Sequence, residues 1–314
     1  MRVLSEIPLF HTKTAITVGN FDGVHLGHQK LIEHLVSRAK EKKLTSVMIT
    51  FEPHPMEYFF QEKKFLRITC LAEMEQLLKC RGVDFLVQLK FTDEMSTLSP
   101  ELFFESILVN QFNAAYIIVG EDHLFGKGRK GTPHTLKKLA ARKGIDVDIE
   151  KQYEIDGTPV SSTRIRQMIL NGDLDQARKL LGHGLLFTGP VVRGSGRGSS
   201  LGMATANLQL PNRVLPPSGV YASKTNLLDK WFPSLSYFGK APTFKGETYF
   251  LETHIMEPMG PLYGQVITVD IVKWLRNEIV FDSKEDLIEQ MKQDLIHAKH
   301  VLPFIFEDVE RKVL

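Results

Sequence analysis

The chain has 314 residues, too many for one average domain and well suited to two, and its 43% apolar content can fill two ordinary cores. A formal net charge of +2 sets up no strong field for nucleic acid or an anionic membrane, and the basic clusters at residues 40–43 and 127–129 are short enough to be solvated surface. Cys70 and Cys80 stand in no metal-like spacing and read as free thiols; with no secretory h-region and no apolar run of bilayer length, the expectation is a cytoplasmic protein.

In chain order, residues 16–19 read as a buried strand. Residues 31–42 read as a helix with Leu31, Ile32, Leu35 and Val36 on one face. Strands follow at 47–51, 85–89, 115–120 and 146–149. They alternate with helical stretches at 73–80, 100–110 and 136–143, the last ended by Gly144. This alternation predicts a parallel sheet with helices on both faces and ligands beyond the carboxyl ends of the strands. Two short helices, 164–170 and 173–181, are separated by Asn171-Gly172. The texture changes at Gly184, where the domain boundary is placed, giving domains 1–184 and 185–314. Short β-like runs at 185–192, 220–225, 248–255 and 265–274, with turn signals between them, predict a sandwich or barrel. A capping box at Ser283 and Asp286 then opens a helix with Leu287, Met291 and Leu295 as its apolar stripe.

The segment Gly19-Asn20-Phe21-Asp22-Gly23-Val24-His25-Leu26-Gly27-His28 follows a strand and opens a helix. Gly19, Gly23 and Gly27 let the backbone approach a ligand, and a helix N-terminus attracts anions. His25 and His28, three apart, can face one side of that turn and stabilise charge building on an α-phosphate. A zinc site would need further Cys or His ligands, and none is suitably placed. Three interleaved glycines argue against an incidental surface pair.

The signature Gly-x-Phe-Asp-Gly-x-His-x-Gly-His resembles the nucleotidyltransferase motif of bacterial bifunctional riboflavin kinase/FAD synthetases. Further segments resemble that family in the same order: Phe51-Glu52-Pro53-His54-Pro55; Gly120-Glu121-Asp122-His123-Leu124-Phe125-Gly126 through Arg129 and Gly131; and Val160-Ser161-Ser162-Thr163-Arg164-Ile165-Arg166. The resemblance implies an α/β parallel-sheet nucleotidyltransferase domain followed by a mainly-β barrel riboflavin kinase domain with a C-terminal helix. It also implies that Ser161, Ser162, Thr163 and Arg164 or Arg166 bind phosphate, chemistry that suits hydroxyls and guanidinium forks at a helix start. N-capping by Ser162 is compatible with that role. Asp122 and Phe125 would line the flavin side, with His123 standing where the family has Phe. His54, between two prolines, either contacts phosphate or shapes its turn. Two lookalikes are set aside. Gly120 to Lys127 has one residue too many for a phosphate loop and lacks its Ser/Thr, and the Gly126 to Gly131 fingerprint lies six residues past its strand.

In the second half, Gly194, Gly196, Gly198 and Gly202 lie in a Gly/Ser loop able to cradle phosphates. It resembles the family's kinase loop ending in Pro-Thr-Ala-Asn, with Ala204 in place of Pro, and implies that Thr205 and Asn207 help coordinate Mg²⁺ beside ATP. Gly219 to Ala222, Ala241 to Phe244 and Leu262-Tyr263-Gly264 also follow the family. Tyr237 or Phe238 and Ala241 stand where it has Asn and Arg. By pattern alone Glu252 is an outward-facing strand residue; the resemblance implies a general base for the riboflavin 5′-hydroxyl. Arg276, in Arg-x-Glu-x-x-Phe with Glu278 and Phe281, either binds flavin or pairs with Glu278. The expected enzyme makes FMN from riboflavin and ATP, then FAD from FMN and a second ATP. Its partners are small molecules alone, with no nucleic acid or membrane, and a homo-oligomer is left open. An NAD(P)-dependent oxidoreductase and a non-catalytic flavin-binding regulator are the rival readings.

Overall fold

The computed structural model describes residues 1–5, 9–60, 65–193, 205–210, 212–243, 246–257 and 259–302. They divide into two compact units: Met1–Leu66 with Met74–Ser162, and Arg67–Glu73 with Thr163–Leu314.

The first unit is built on β1 (Arg2–Leu4), β2 (Thr14–Val18), α1 (Leu26–Lys42), β3 (Thr45–Glu52), α2 (Pro55–Phe59), α3 (Leu71–Lys79) from Met74 onward, β4 (Phe85–Lys90), α4 (Asp93–Thr97), α5 (Pro100–Leu102), β5 (Ala114–Gly120), α6 (Pro133–Ala141), β6 (Asp146–Glu150) and the small hairpin β7 (Glu154–Ile155) and β8 (Thr158–Pro159). Six parallel strands form a sheet in the order β1-β4-β3-β2-β5-β6. β2 is buried along its whole length, as a central parallel strand covered on both faces must be. One face packs Ile16, Val18, Ile49, Val87, Ile117 and Val119 against Phe103, Phe104, Ile107 and Leu108. Those four belong to a π-helix, Phe103–Gln111, whose wider period brings them all onto the core side. α1 lies against β2, β3 and β5. The chain winds from β2 through β3 to β4 in one direction and from β5 to β6 in the other. The sheet therefore has its topological switch point at the carboxyl ends of β2 and β5, where such sheets bind ligands.

The second unit contains α7 (Ser162–Asn171) from Thr163 onward, α8 (Leu174–Leu181), β9 (Leu185–Val192), β10 (Ala206–Leu208), β11 (Gly219–Leu227), β12 (Lys230–Thr243), β13 (Gly246–Ile255), β14 (Val266–Arg276) and α9 (Lys284–Val301). Its strands form a closed barrel, β10-β13-β12-β11-β14-β9, which decides between sandwich and barrel. Inside, Phe187, Tyr221 and Phe238 meet edge to face. Beside them Ser223, Thr225, Ser234, Ser236 and Thr253 satisfy one another's hydroxyls at 2.7–3.5 Å. α9 is capped by Ser283 and covers the outer face of β11 and β14 through Val220, Ala222, Val272, Leu275 and Ala298.

One fully buried and one partly buried ion pair help tie this unit together. Glu73 meets Arg213, and both side chains are essentially fully buried. Glu73 also accepts from the Thr188 amide at 2.7 Å and the Cys70 amide at 2.9 Å. Arg213 donates to the carbonyls of Ile68 and Leu186 and lies over the Phe187 ring. On α8, Arg178 pairs with Asp270 of β14, while Leu174, Ala177, Leu180 and Leu181 turn inward. The helix pair before Gly184 thus packs with the barrel. The texture change at Gly184 marks where β structure starts, and the compact units part earlier, between Ser162 and Thr163.

Candidate active sites

The loop after β2 is held in a conformation that side chains rarely adopt. Phe21, Gly23 and Val24 all have positive φ (50°, 86° and 38°), which is strain of the kind that clusters at functional sites. Several bonds fix it. The Gly19 amide donates to Ile49 O at 3.0 Å, Gln29 Nε2 to Val24 O at 2.8 Å, and Ser162 Oγ to Asp22 O at 2.7 Å. Two segments 140 residues apart are thereby joined at the carboxyl end of β2. Ser162 is the first residue of α7, and its hydroxyl holds the glycine loop; the cap position falls on Ser161.

His25 is the N-cap of α1. Its Nδ1 accepts the His28 amide at 3.3 Å, so the neutral ring carries its proton on Nε2. The His25 and His28 imidazoles stack at 3.6 Å between centroids, only 16° from parallel, and Phe21 abuts His28 edge-on. Gly27 permits this: a side chain there would press on the His25 ring at 3.3 Å. Gly19 likewise admits the Phe21 ring. Burial and the neighbouring His25 hold His28 well below the usual histidine range, and its Nδ1 is buried with no hydrogen-bond partner among the described residues. Imidazoles at a helix start can donate to phosphate oxygens and stabilise negative charge that arrives there.

At the carboxyl end of β5, Asp122 is exposed, and Gly120 leaves room for its carboxylate. Phe125, expected on the flavin side, packs inward in this structure. It is 7% exposed and belongs to the sheet core, against Phe103 and Gly131. The ring stacked on its outer side is His123, which burial and the exposed Arg129 lower to about 4. The Gly126 to Gly131 fingerprint forms a short 3₁₀ turn closed by the Phe125–Gly131 bridge, with no helix N-terminus inside it. His54 shapes its turn: it caps α2 through Nδ1, forms a capping box with Glu57 and stacks on Phe65. Thr163, Arg164 and Arg166 occupy the first turns of α7 in the second unit.

On the barrel, a single row of paired residues runs across the outer surface. Asn207 of β10 faces Glu252 of β13, Glu252 faces Tyr237 of β12, Tyr237 faces Val220 of β11, and Val220 faces Arg276 of β14. Directly opposed side chains lie about 4.5–5.5 Å apart at Cβ, so Asn207, Glu252 and Tyr237 are immediate neighbours. Glu252 is half-buried on the outer face, between the inward-facing Leu251 and Thr253. Thr205 leads into β10. Gly194, Gly196, Gly198 and Gly202 lie outside the described residues.

Arg276 does not pair with Glu278. Its Nε and Nη2 make a two-point bond to Asp294 of α9 at 2.7–3.0 Å, and Gln290 donates to the same carboxylate. Glu278 instead accepts from the Tyr237 hydroxyl. Asp294 was missed in the sequence because a carboxylate within a charged helix reads as solvated surface. The only available signal was its position in line with Leu287, Met291 and Ala298 on the inward face. Leu275, Arg276, Gln290, Gln293, Asp294 and His297 line a cleft of about 390 Å³.

Comparison with known proteins agrees with both halves. A family model described as FAD synthetase matches residues 7–164, and one described as riboflavin kinase matches residues 181–302. Among curated relatives, the bifunctional riboflavin kinase/FMN adenylyltransferase of Haemophilus influenzae is 35% identical over 91% of this chain and 93% of its own. The Escherichia coli K12 protein of the same name is 34% identical over 90% and 91%. A solved structure from Streptococcus pneumoniae, named a macrolide-efflux protein, matches with a TM-score of 0.85 and 32% identity over 95% of this chain and 98% of that one. Among the described residues, no helix is long and apolar enough to cross a membrane. With two family models in order and relatives matched almost end to end, the chain belongs to the bifunctional riboflavin kinase/FMN adenylyltransferase family.

Proposed function

We propose that the His25/His28 loop carries adenylyl transfer to FMN and that Glu252 carries phosphorylation of riboflavin. The stacked imidazole pair at the switch point supports the first assignment most strongly. A phosphate oxygen of FMN attacks the α-phosphorus of ATP, the α–β bridging P–O bond breaks, and pyrophosphate leaves. Loop amides and His25 Nε2–H stabilise the charge that grows on the α-phosphate. Gly23 and Gly27 admit the phosphates, Ser161, Ser162, Thr163 and Arg166 bind a second phosphate cluster, and Asp122 orients the flavin. Positioning and charge stabilisation suffice without a covalent intermediate.

In the barrel, the riboflavin 5′-oxygen attacks the γ-phosphorus of a second ATP. Its proton passes to the Glu252 carboxylate, the β–γ bridging bond breaks, and ADP leaves. Asn207, paired with Glu252, and Thr205, two residues before it, offer neutral oxygens that fit Mg²⁺, which takes few protein ligands and keeps water and substrate phosphates as the rest. Bound there, Mg²⁺ would offset phosphate charge. Residues 1–184 and 185–314 are assigned to the two steps, with small molecules as the partners. Two free thiols and a need for ATP suit the cytoplasm.

Incubation of purified protein with riboflavin, ATP and Mg²⁺, followed by separation of the flavins, tests the reading. His28→Ala is expected to lower FAD formation by roughly a hundredfold or more while FMN accumulates. Glu252→Gln is expected to stop FMN formation and spare FAD made from supplied FMN. An unchanged FAD yield in the first variant, or loss of both products in the second, overturns the assignment.

A further inference from the structure

The motif residues Arg276, Glu278 and Phe281 have no direct connection to Glu252 in the sequence. In the barrel, Tyr237 makes one. It pairs across the sheet with Glu252 on one side and Val220 on the other, and its hydroxyl donates to Glu278. Its ring meets Phe250 edge-on at 5.7 Å, and Phe250 lies on the same face of β13 as Glu252, two residues before it. A side chain at Gly239 would run into both rings, at 2.5 and 2.6 Å from its Cβ position, so the glycine makes room for the pair. Burial first, then the Glu278 carboxylate and the charge of Glu252, push the Tyr237 hydroxyl above its usual range, so it stays a donor at any working pH.

These residues form a half-buried aromatic wall beside the carboxylate assigned as the base, with the wall's outer end tied down. A flat, uncharged, largely aromatic acceptor with a hydroxylated chain fits such a surface: its rings lie on the aromatic face while its terminal hydroxyl reaches the carboxylate. We propose that Tyr237 is a positioning residue for riboflavin, its ring supporting the acceptor against Glu252 and its bond to Glu278 fixing that ring. The proposal rests on the reading of Glu252 given above.

Steady-state kinase kinetics on the full-length protein test it, with adenylylation of supplied FMN as an internal control. Tyr237→Ala is expected to raise the riboflavin KM by about tenfold, with the ATP KM and the FMN control within about twofold. Tyr237→Phe and Glu278→Gln should each raise it by roughly fivefold. The double variant should be no worse than either alone, because both remove the same hydrogen bond. Should Tyr237→Ala fail to fold, the milder pair and their double variant decide the matter. An unchanged riboflavin KM, a loss confined to kcat, or additive effects in the double variant overturn the proposal. Glu252→Gln separates the two ideas. Retained kinase activity in that variant refutes the base, whereas Tyr237 is judged by the KM split alone.

Discussion

His123 stacks on Phe125 at the carboxyl end of β5. Its burial has a consequence for stability. Between pH 6.5, the ordinary histidine value, and about 4, the unfolded chain holds a proton at this position that the folded chain refuses. Stability is therefore full above pH 6.5, falls as pH drops through that window, and levels off below it. His123→Phe is expected to flatten part of this decline in Tm and to keep the stack. His28 contributes with the same sign, so the slope shrinks without vanishing. Thermal melts at pH 7, 5.5 and 4 check it, and an unaltered slope counts against the assignment. Gly131 offers a second test at this scale. A Cβ there would lie 2.7–2.8 Å from the Phe125 ring, inside the core. Gly131→Ala should cost about 1–3 kcal/mol in urea unfolding.

Among the elements, the buried ion pair of α3 carries the clearest expectation. Removing Glu73 leaves the Arg213 guanidinium uncompensated beneath the barrel, so Glu73→Ala should destabilise the second unit by about 3–5 kcal/mol. Glu73→Gln keeps an acceptor for the Thr188 amide yet still strands the charge, so it recovers only part. The urea midpoint at which kinase activity is lost reports both.

Which elements could be read in advance follows from how they are buried. β2, β3 and β5 stood out because central parallel strands are largely apolar runs bounded by turn signals. β12 did not. Its inward positions include Ser234 and Ser236, whose hydroxyls are satisfied by Ser223 and Thr253, and Pro233, Gly239 and Pro242 interrupt it, so the binary pattern was erased. β10 is three residues long, and the π-helix has no periodic signature distinct from an α-helix. The glycine and histidine positions of the first loop were legible because interleaved glycines at a strand-to-helix turn are an unusual pattern with a positive-φ backbone to match. The Asp294 bond to Arg276 was not, because it joins β14 to a helix packed on the barrel, and the Tyr237 bond to Glu278 was not, because only the barrel register brings those residues together.

For the whole molecule, two chemistries assigned to separate sets of residues should be separable in solution. His28→Ala keeps the kinase and Glu252→Gln keeps the adenylyltransferase, so a mixture of the two variants should make FAD from riboflavin although neither does so alone. Flavin separation over a time course checks it. A mixture that stops at FMN would mean that one protein cannot use FMN released by another.

The stretch Arg67–Glu73 belongs to the same compact unit as the barrel, although it lies between β3 and β4 in the chain. During synthesis it leaves the ribosome long before Arg213 does, so the acid of the buried pair must wait for its base. A gene cut at the junction between Ser162 and Thr163 would put seven residues of the kinase unit, numbers 67 to 73, in the wrong fragment. The fragment carrying residues 163–314 would then retain every assigned kinase residue and lack the carboxylate that neutralises the buried Arg213. It should be made in insoluble or protease-sensitive form. Limited proteolysis of that fragment beside the full chain would show whether the order of folding follows the order of the gene.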